Sequence, residues 1–300
     1  KMNVGAAVRE ACTEVGFFYI KNHFVDQNII SATFLEAEGF FDASIDVKME
    51  VNIENSETLR GYTALLAAEH DDSGKDFHEG FDLALDLDSS DEDVKSGVFG
   101  YGPNQWPSGR ESFKSALLNY HSSMVDFGKK IFESFALALE LPINHFEGAI
   151  TKPMAHMRVL HYPPQDPKSG TEQMGIGAHS DYECFTILCT SDVPALQVLN
   201  TDGVWIEAPP IEGAFIVNVG DLMARWTNDY FQSTVHRAIN LSGRRRYSIP
   251  FFYGPNSKEI IEVLSSCQSE TVKAKYDPIE AGKYIKSRFD NTYAHRQDDE

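Results

Sequence analysis

The chain has 300 residues, with 26 Lys plus Arg against 45 Asp plus Glu and a formal net charge of −19. Such a polyanion repels phosphate backbones, and its basic residues cluster only at Arg244-Arg245-Arg246, which excludes nucleic acid as an expected partner. No apolar run is long enough to span a bilayer, and Cys12, Cys184, Cys189 and Cys267 fit no CxxC pattern, so membrane insertion and a disulfide framework are excluded as well.

The length suits one elaborated domain with a sizeable core. The opening KMNVGAAVREACTEVG lacks the apolar core of a signal peptide, so reduced thiols in a cytoplasmic protein are expected. Positions 4 to 15 place Val4, Ala7, Val8, Ala11, Cys12 and Val15 on one helical face, and Gly16 ends that helix. A β-rich run, FFYIKNH, follows. A second helix is predicted over 26 to 42, capped by Asp26 and burying Ile29, Ile30, Phe34, Phe40 and Phe41. Between 51 and 107 the signals are short (VNIE, RGYTAL, FHEGFDLALDL), and FGYGPNQWP reads as a linker. The acidic run DLDSSDED at 86 to 93 reads as a solvated loop. The longest helix is predicted over 110 to 141, with an apolar stripe of Phe113, Leu117, Met124, Phe127, Ile131, Phe135, Leu137 and Leu139 and a stop at Pro142.

From Met157 the period changes to two. MRVLHY, GIGAHSD, FTILCTS, LQVLN, VWIEAP, AFIVNV, STVHRAI and RRRYSIPFFY predict eight short strands of a barrel or jelly roll. Asp202-Gly203 predicts the hairpin turn between LQVLN and VWIEAP, and 221 to 230 a short helix or loop. A final helix is expected near 278 to 289. The fold class is mainly β with flanking helices (α+β). One integrated domain comprises an N-terminal helical/β region (1–108), a long packing helix (109–150), a β core (151–256) and a C-terminal helical tail (257–300).

Strand alternation puts His179 and Asp181 on one face, and His236 lies in a later strand. Two imidazoles and a carboxylate suit a non-haem Fe(II) site with open positions, and three-ligand zinc is the chemical competitor. An H-x-D pair alone is weak, since His70 and Asp72 match it too; that second pair sits in a polar, turn-like segment and reads as surface. Arg246 and Ser248 share a face ten and twelve residues after His236, where a guanidinium fork and a hydroxyl can hold a carboxylate. The SIPFF that follows carries Arg246 into the core, whereas Arg244 and Arg245 are expected to be solvated. Arg158, Leu160 and Tyr162 alternate toward the same side. Tyr162 can donate a hydrogen bond there, and Arg158 either meets an acidic ligand or pairs with a structural carboxylate.

GIGAHSDYECFTIL, DGVWIEAPP, GDLMARWTNDYFQSTVHRAI and RRRYSIPFFYGP together resemble the 2-oxoglutarate and Fe(II)-dependent dioxygenases of the isopenicillin N synthase-like group. GFFYIKNH, RGYTAL, FHEGFDL and GPNQWP extend the resemblance through the N-terminal region. It implies a double-stranded β-helix (jelly roll) core, with His179, Asp181 and His236 on iron and Arg246, Ser248 and Tyr162 on 2-oxoglutarate. The cofactors implied are Fe(II), 2-oxoglutarate and O2, with ascorbate as a stimulant. The activity implied is hydroxylation, desaturation or oxidative cyclisation of a small molecule, through an iron(IV)-oxo. The group's usual Asn two residues before the tyrosine is Leu160 here. The strand that usually precedes the first helix is absent, so a longer natural N-terminus is expected. Phe252, two past Pro250 on the Arg246/Ser248 face, and Arg158 are expected to border the substrate, and by analogy Tyr182 and Phe77, with Glu183, His78 and Glu79, lie near the pocket edge. A monomer is expected. Two alternatives stand beside this reading: an isopenicillin N synthase-type oxidase that does not use 2-oxoglutarate, and a non-catalytic jelly-roll binding protein.

Overall fold

The structure, a computed structural model, describes residues 4–67, 74–166 and 173–294. His70 and Asp72 lie outside the described residues. In the N-terminal third, Val4–Glu14 forms α1, Phe17–Lys21 β1, Gln27–Phe41 α2, Ile45–Met49 α3, Gly61–Thr63 β2, Glu79–Leu83 β3 and Glu92–Lys95 α4. Asp26 caps α2 by accepting from the Asn28 amide at 2.8 Å. The long helix is α5, Glu111–Ala138. Then come β4 (Pro153–Tyr162), β5 (Ile176–His179), β6 (Phe185–Thr190), β7 (Leu196–Leu199), β8 (Trp205–Glu207), β9 (Ala214–Val219), α6 (Asp221–Trp226), β10 (His236–Ala238) and β11 (Arg246–Asn256). The chain continues through β12 (Ile260–Ile261) and β13 (Ile279–Glu280) to α7 (Ala281–Ala294). No helix among the described residues is long and apolar enough to cross a membrane.

The strands form a seven-stranded sheet, ordered β1-β9-β6-β11-β4-β3-β2, and a four-stranded sheet, ordered β5-β10-β7-β8. This is the double-sheet jelly roll that the closely spaced short strands predicted. The large sheet is two-faced because strand side chains alternate. Met157 and Val159 of β4, Ile187 of β6, Val217 of β9 and Ile249 and Phe251 of β11 join Phe113, Leu117, Phe132 and Phe135 of α5 in one apolar core. The alternate residues of β4 and β11 face away from that core and line a cavity. Burial of the first set against the helices therefore fixes which side chains reach the cavity, since a one-residue slip would exchange the two faces. Close approach of α5 to β11 needs Gly128, where an added Cβ would come within 2.2 Å of the Tyr253 ring.

Several sequence expectations need correction. Leu137 of the predicted α5 stripe is 43 % exposed, because it points away from the core while Phe135, Ala136, Ala138 and Leu139 around it are buried. Val4 and Val15 are exposed at the two ends of the α1 face. The short signal VNIE resolves partly into a 3-10 turn, Ile53–Asn55. The β7–β8 connection is longer than a two-residue hairpin turn. Leu199 pairs with Trp205, and the Asn200 side chain accepts from the amides of Asp202 and Val204, with Gly203 at φ +75°.

Candidate active site

His179 ends β5 and His236 opens β10, and the antiparallel register sets them directly opposite, with ring centroids 4.4 Å apart. Asp181 is not on the strand, as the alternation predicted, but in the turn just beyond it. That turn is pinned from α6: the Asp221 amide donates to the Asp181 carbonyl at 2.8 Å, and a Cβ on Gly220 would meet the Glu183 carbonyl at 2.2 Å. The turn brings Asp181 Oδ1 to 3.6 Å from Nε2 of both His179 and His236. Among the described residues, this is the one His/Cys/Asp/Glu group whose potential ligand atoms all lie within 4.8 Å of one another.

Each of the three side chains is oriented by a neighbour. Nδ1 of His179 lies 2.8 Å from the Gly177 carbonyl, and Nδ1 of His236 lies 3.1 Å from that of Thr234. Both carbonyls accept only from a protonated Nδ1, which leaves the Nε2 lone pairs facing Asp181. Asp181 Oδ2 accepts from Asn218 Nδ2 at 2.7 Å and from the Thr186 hydroxyl. Burial opposes its charge, yet the His236 and His179 imidazoles and these two hydrogen bonds outweigh burial and hold the carboxyl below its ordinary range. Two imidazole nitrogens and one carboxylate oxygen, converging at one edge of a cavity, fit Fe(II) with positions left open. Burial and the neighbouring Asp181 charge push the Glu183 carboxyl up to about 8.

The second constellation lies on the floor. Arg246 pairs in register with Tyr162, and Ser248 with Leu160, so all four side chains share the cavity face. Arg246 is 2 % exposed and its guanidinium stacks on the Tyr162 ring at 4.6 Å. Its Nε donates to the Val193 carbonyl at 3.3 Å, while Nη1 is buried without an acceptor. The Tyr162 hydroxyl and Ser248 Oγ are 3.3 Å apart. A buried cation with an unused donor, flanked by two hydroxyls, fits the carboxylate of a small acid.

Both constellations open on one cavity of about 1310 Å³. Arg158, Phe252, Tyr182 and Glu183 line it, whereas Phe77, His78 and Glu79 do not. His78 instead faces the Gly175 carbonyl at 2.7 Å, and Glu79 is enclosed with Lys48 on the other face of β3. Arg158 pairs with the buried carboxylate of Asp82 at 2.8 Å, while still bordering the cavity. Arg244 and Arg245 are exposed and paired with Asp192 and Asp42. Sequence reasoning missed Asn218 of β9 and Thr186 of β6, which lie outside the turn that carries the Asp181 they hold. It also missed His156, although His156 stands two residues before Arg158 on the same strand face. The C-terminal helix does more than pack as a tail. Ile285 and Phe289 of α7 border the cavity, and Phe289 meets Tyr182 edge-on at 5.5 Å.

Comparison with known proteins adds independent findings. Residues 153–255 match the model of the 2OG-Fe(II) oxygenase superfamily, and residues 1–109 match that of the non-haem dioxygenase in morphine synthesis N-terminal region. The chain is 33 % identical to the 2-oxoglutarate-Fe(II) type oxidoreductase ppzC of Metarhizium rileyi, over 97 % of this chain and 82 % of that protein. It is 34 % identical to homoarginine-6-hydroxylase 2-ODD-233 of Oryza sativa subsp. japonica, over 92 % of this chain and 85 % of the relative. Among solved structures, it superposes on a full-length Neurospora crassa protein in complex with alpha-KG and thymine. The TM-score is 0.84 at 27 % identity, covering 96 % and 91 % of the two chains.

Proposed function

This chain belongs to the 2OG-Fe(II) oxygenase superfamily, and we propose that His179, Asp181 and His236 are its iron ligands and that Arg246, Ser248 and Tyr162 hold its 2-oxoglutarate. The enzyme is a 2-oxoglutarate-dependent Fe(II) dioxygenase, an oxidoreductase. The observation that carries the site assignment is the convergence of two built constellations on one cavity: a three-ligand cluster, and a buried arginine with an unused donor.

Bound Fe(II) supplies O2 activation, with 2-oxoglutarate as the co-reductant that leaves as succinate and CO2. The chain supplies geometry. Gly177 and Thr234 hold the two imidazoles in the tautomer that presents Nε2, and Asn218 and Thr186 hold Asp181 ionised. The three ligands leave the cavity side open for the co-substrate. Arg246 fixes the far carboxylate of 2-oxoglutarate as a planar fork, with the Ser248 and Tyr162 hydroxyls beside it. Leu188, Leu196, Ile176 and Ala238 make that end apolar and exclude water. Phe252, Tyr182 and Arg158 then border the substrate.

The substrate is a small molecule. Thymine bound in the structural relative and homoarginine in the name of the rice hydroxylase support that reading. We place the enzyme in the cytoplasm, which four free cysteines, three of them buried, support, and we take it to be a monomer. Size exclusion at the mass of a single chain is the expected result.

The test is succinate formation from 2-oxoglutarate with Fe(II) and ascorbate. His179→Ala is expected to abolish it. Arg246→Leu is expected to raise the 2-oxoglutarate requirement by roughly ten- to a hundredfold, the worth of a charge-assisted fork. Full activity in His179→Ala would overturn the ligand assignment. Oxygen consumption that does not need 2-oxoglutarate would point instead to an isopenicillin N synthase-type oxidase.

A further inference from the structure

β4 carries a second cationic group beyond the 2-oxoglutarate end. His156, Arg158, Leu160 and Tyr162 all line the cavity. Across from them on β11, Arg246 stands opposite Tyr162 and Phe252 opposite His156. The floor thus has two ends, six residues apart along β4 and roughly 20 Å at about 3.3 Å per residue. At the end away from Arg246, Asp82 of β3 is 3 % exposed and uses one oxygen, Oδ1, for both Arg158 Nε at 2.8 Å and His156 Nε2 at 2.7 Å. The two held side chains each keep about a fifth of their surface open, 20 % for Arg158 and 19 % for His156.

Behind them lies Arg60, 3 % exposed. Its Nη1 donates to the Thr58 carbonyl at 2.6 Å and sits 3.5 Å from His156 Nδ1, and its Nη2 donates to the Gly100 carbonyl at 2.9 Å. Its Nε is buried without an acceptor, and no carboxylate lies within ion-pair distance of it among the described residues. Burial pulls its pKa down to about 10, with Asp82 and then Asp86 opposing, so it stays protonated at neutral pH. A buried guanidinium without a counter-ion is costly. Arg60 thus carries a buried positive charge behind the Arg158, Asp82 and His156 group, with no carboxylate at ion-pair distance among the described residues.

We propose that this cluster is a second anion site that receives the carboxylate of an organic-acid substrate on the Arg158 guanidinium, with the His156 ring, its two nitrogens turned to Asp82 and Arg60, fixed beside it. Asp82 acts as the positioning residue and Arg60 supplies the excess buried charge. A planar carboxylate matches the guanidinium fork, and Phe252, with its ring centroid 6.1 Å from that of His156, offers an aromatic wall beside it. The proposal rests on reading the Arg246 end as the 2-oxoglutarate anchor. With that anchor filled, the acid group of the substrate lies at the far end, and the carbon to be oxidised lies between the two.

The test uses the full-length protein loaded with Fe(II) and 2-oxoglutarate under argon. Three probes of one shape are titrated calorimetrically: 3-phenylpropionate, 3-phenylpropionamide and 3-phenylpropylamine. The acid is expected to bind at least about tenfold more tightly than the amide or the amine. Arg158→Gln removes that preference and leaves 2-oxoglutarate affinity unchanged. Asp82→Asn weakens the preference in the same direction. Arg158→Lys keeps a charge beside Asp82 but loses the fork, so it reports on the same preference if the Gln variant unfolds. Arg246→Leu loses 2-oxoglutarate instead, so failure of the anchor reading and failure of the acid site register on different ligands. Equal binding of the three probes, no binding of the acid at millimolar concentration, or an intact preference in both Arg158 variants would overturn the proposal.

Discussion

β3 presents two buried carboxylates on its opposite faces, and the chain completes only one of them. On the side away from the cavity, Glu79 accepts from Tyr62 at 2.6 Å and is paired with Lys48 at 2.7 Å and His161 at 2.8 Å. On the cavity side, Asp82 spends Oδ1 on Arg158 and His156, and its Oδ2 is buried without a donor. Both carboxyls are held below their ordinary range. Burial opposes the charge in each, and the neighbouring hydrogen bonds and cations outweigh it. The difference is saturation. Both oxygens of Glu79 are bonded by groups of the chain away from the cavity, whereas Asp82 leaves one oxygen unbonded and holds two side chains that border the cavity.

The comparison predicts that breaking the saturated cluster costs stability. Glu79→Ala would leave the Lys48 ammonium, 9 % exposed, without its counter-ion. The expected loss is about 3–5 kcal/mol in urea unfolding, with turnover per folded molecule unchanged at permissive temperature. A loss below about 1 kcal/mol would remove the contrast.

The same cluster sets an acid limb. The Glu79 carboxyl is lowered to about 2 in the fold from an ordinary 4.5. Between those values the unfolded chain binds more protons than the folded one. The contribution is therefore fully present above about pH 4.5 and is lost as pH falls toward 2, about 3 kcal/mol in all. Glu79→Gln should flatten that limb in a stability-versus-pH series, and an unchanged slope would contradict the assignment. The smallest effect belongs to the exposed pair Arg244–Asp192, 2.8 Å apart. Arg244→Ala should shift stability by no more than about 0.5 kcal/mol and leave 2-oxoglutarate binding alone, in contrast with its buried neighbour Arg246.

Much of this was legible from spacing. Period two on β4 and β11 correctly put Arg158 and Tyr162 on the face shared by Arg246, Ser248 and Phe252, because a strand has only two faces and one was visibly apolar. The eight strands β4 to β11 were readable for the same reason, whereas the two-residue strands β12 and β13 were not. What spacing could not give was the partner across strands. Asp82 and Arg158 meet only because β3 runs beside β4, and nothing local in FDLALDL reports that neighbour. Asp181 stands beside His179 and His236 for a reason other than the expected alternation, since a turn held by the start of α6 places it. Glu79 was anticipated at the pocket edge, but its odd spacing from Asp82 puts it on the opposite face of β3, inside the Lys48 cluster. The role of α7 at the cavity rim was invisible too, because Phe289 reads as an ordinary apolar position of a terminal helix.

The account stands on one metal centre built from β5, the turn before β6, and β10. Calorimetric titration of the purified chain with Fe(II) under argon tests it directly, with Asp181→Ala alongside. The account predicts one equivalent bound by the wild-type chain and none by the variant, with the melting temperature of the metal-free proteins unchanged or raised by removal of the buried carboxylate. One equivalent bound equally tightly by Asp181→Ala would contradict it.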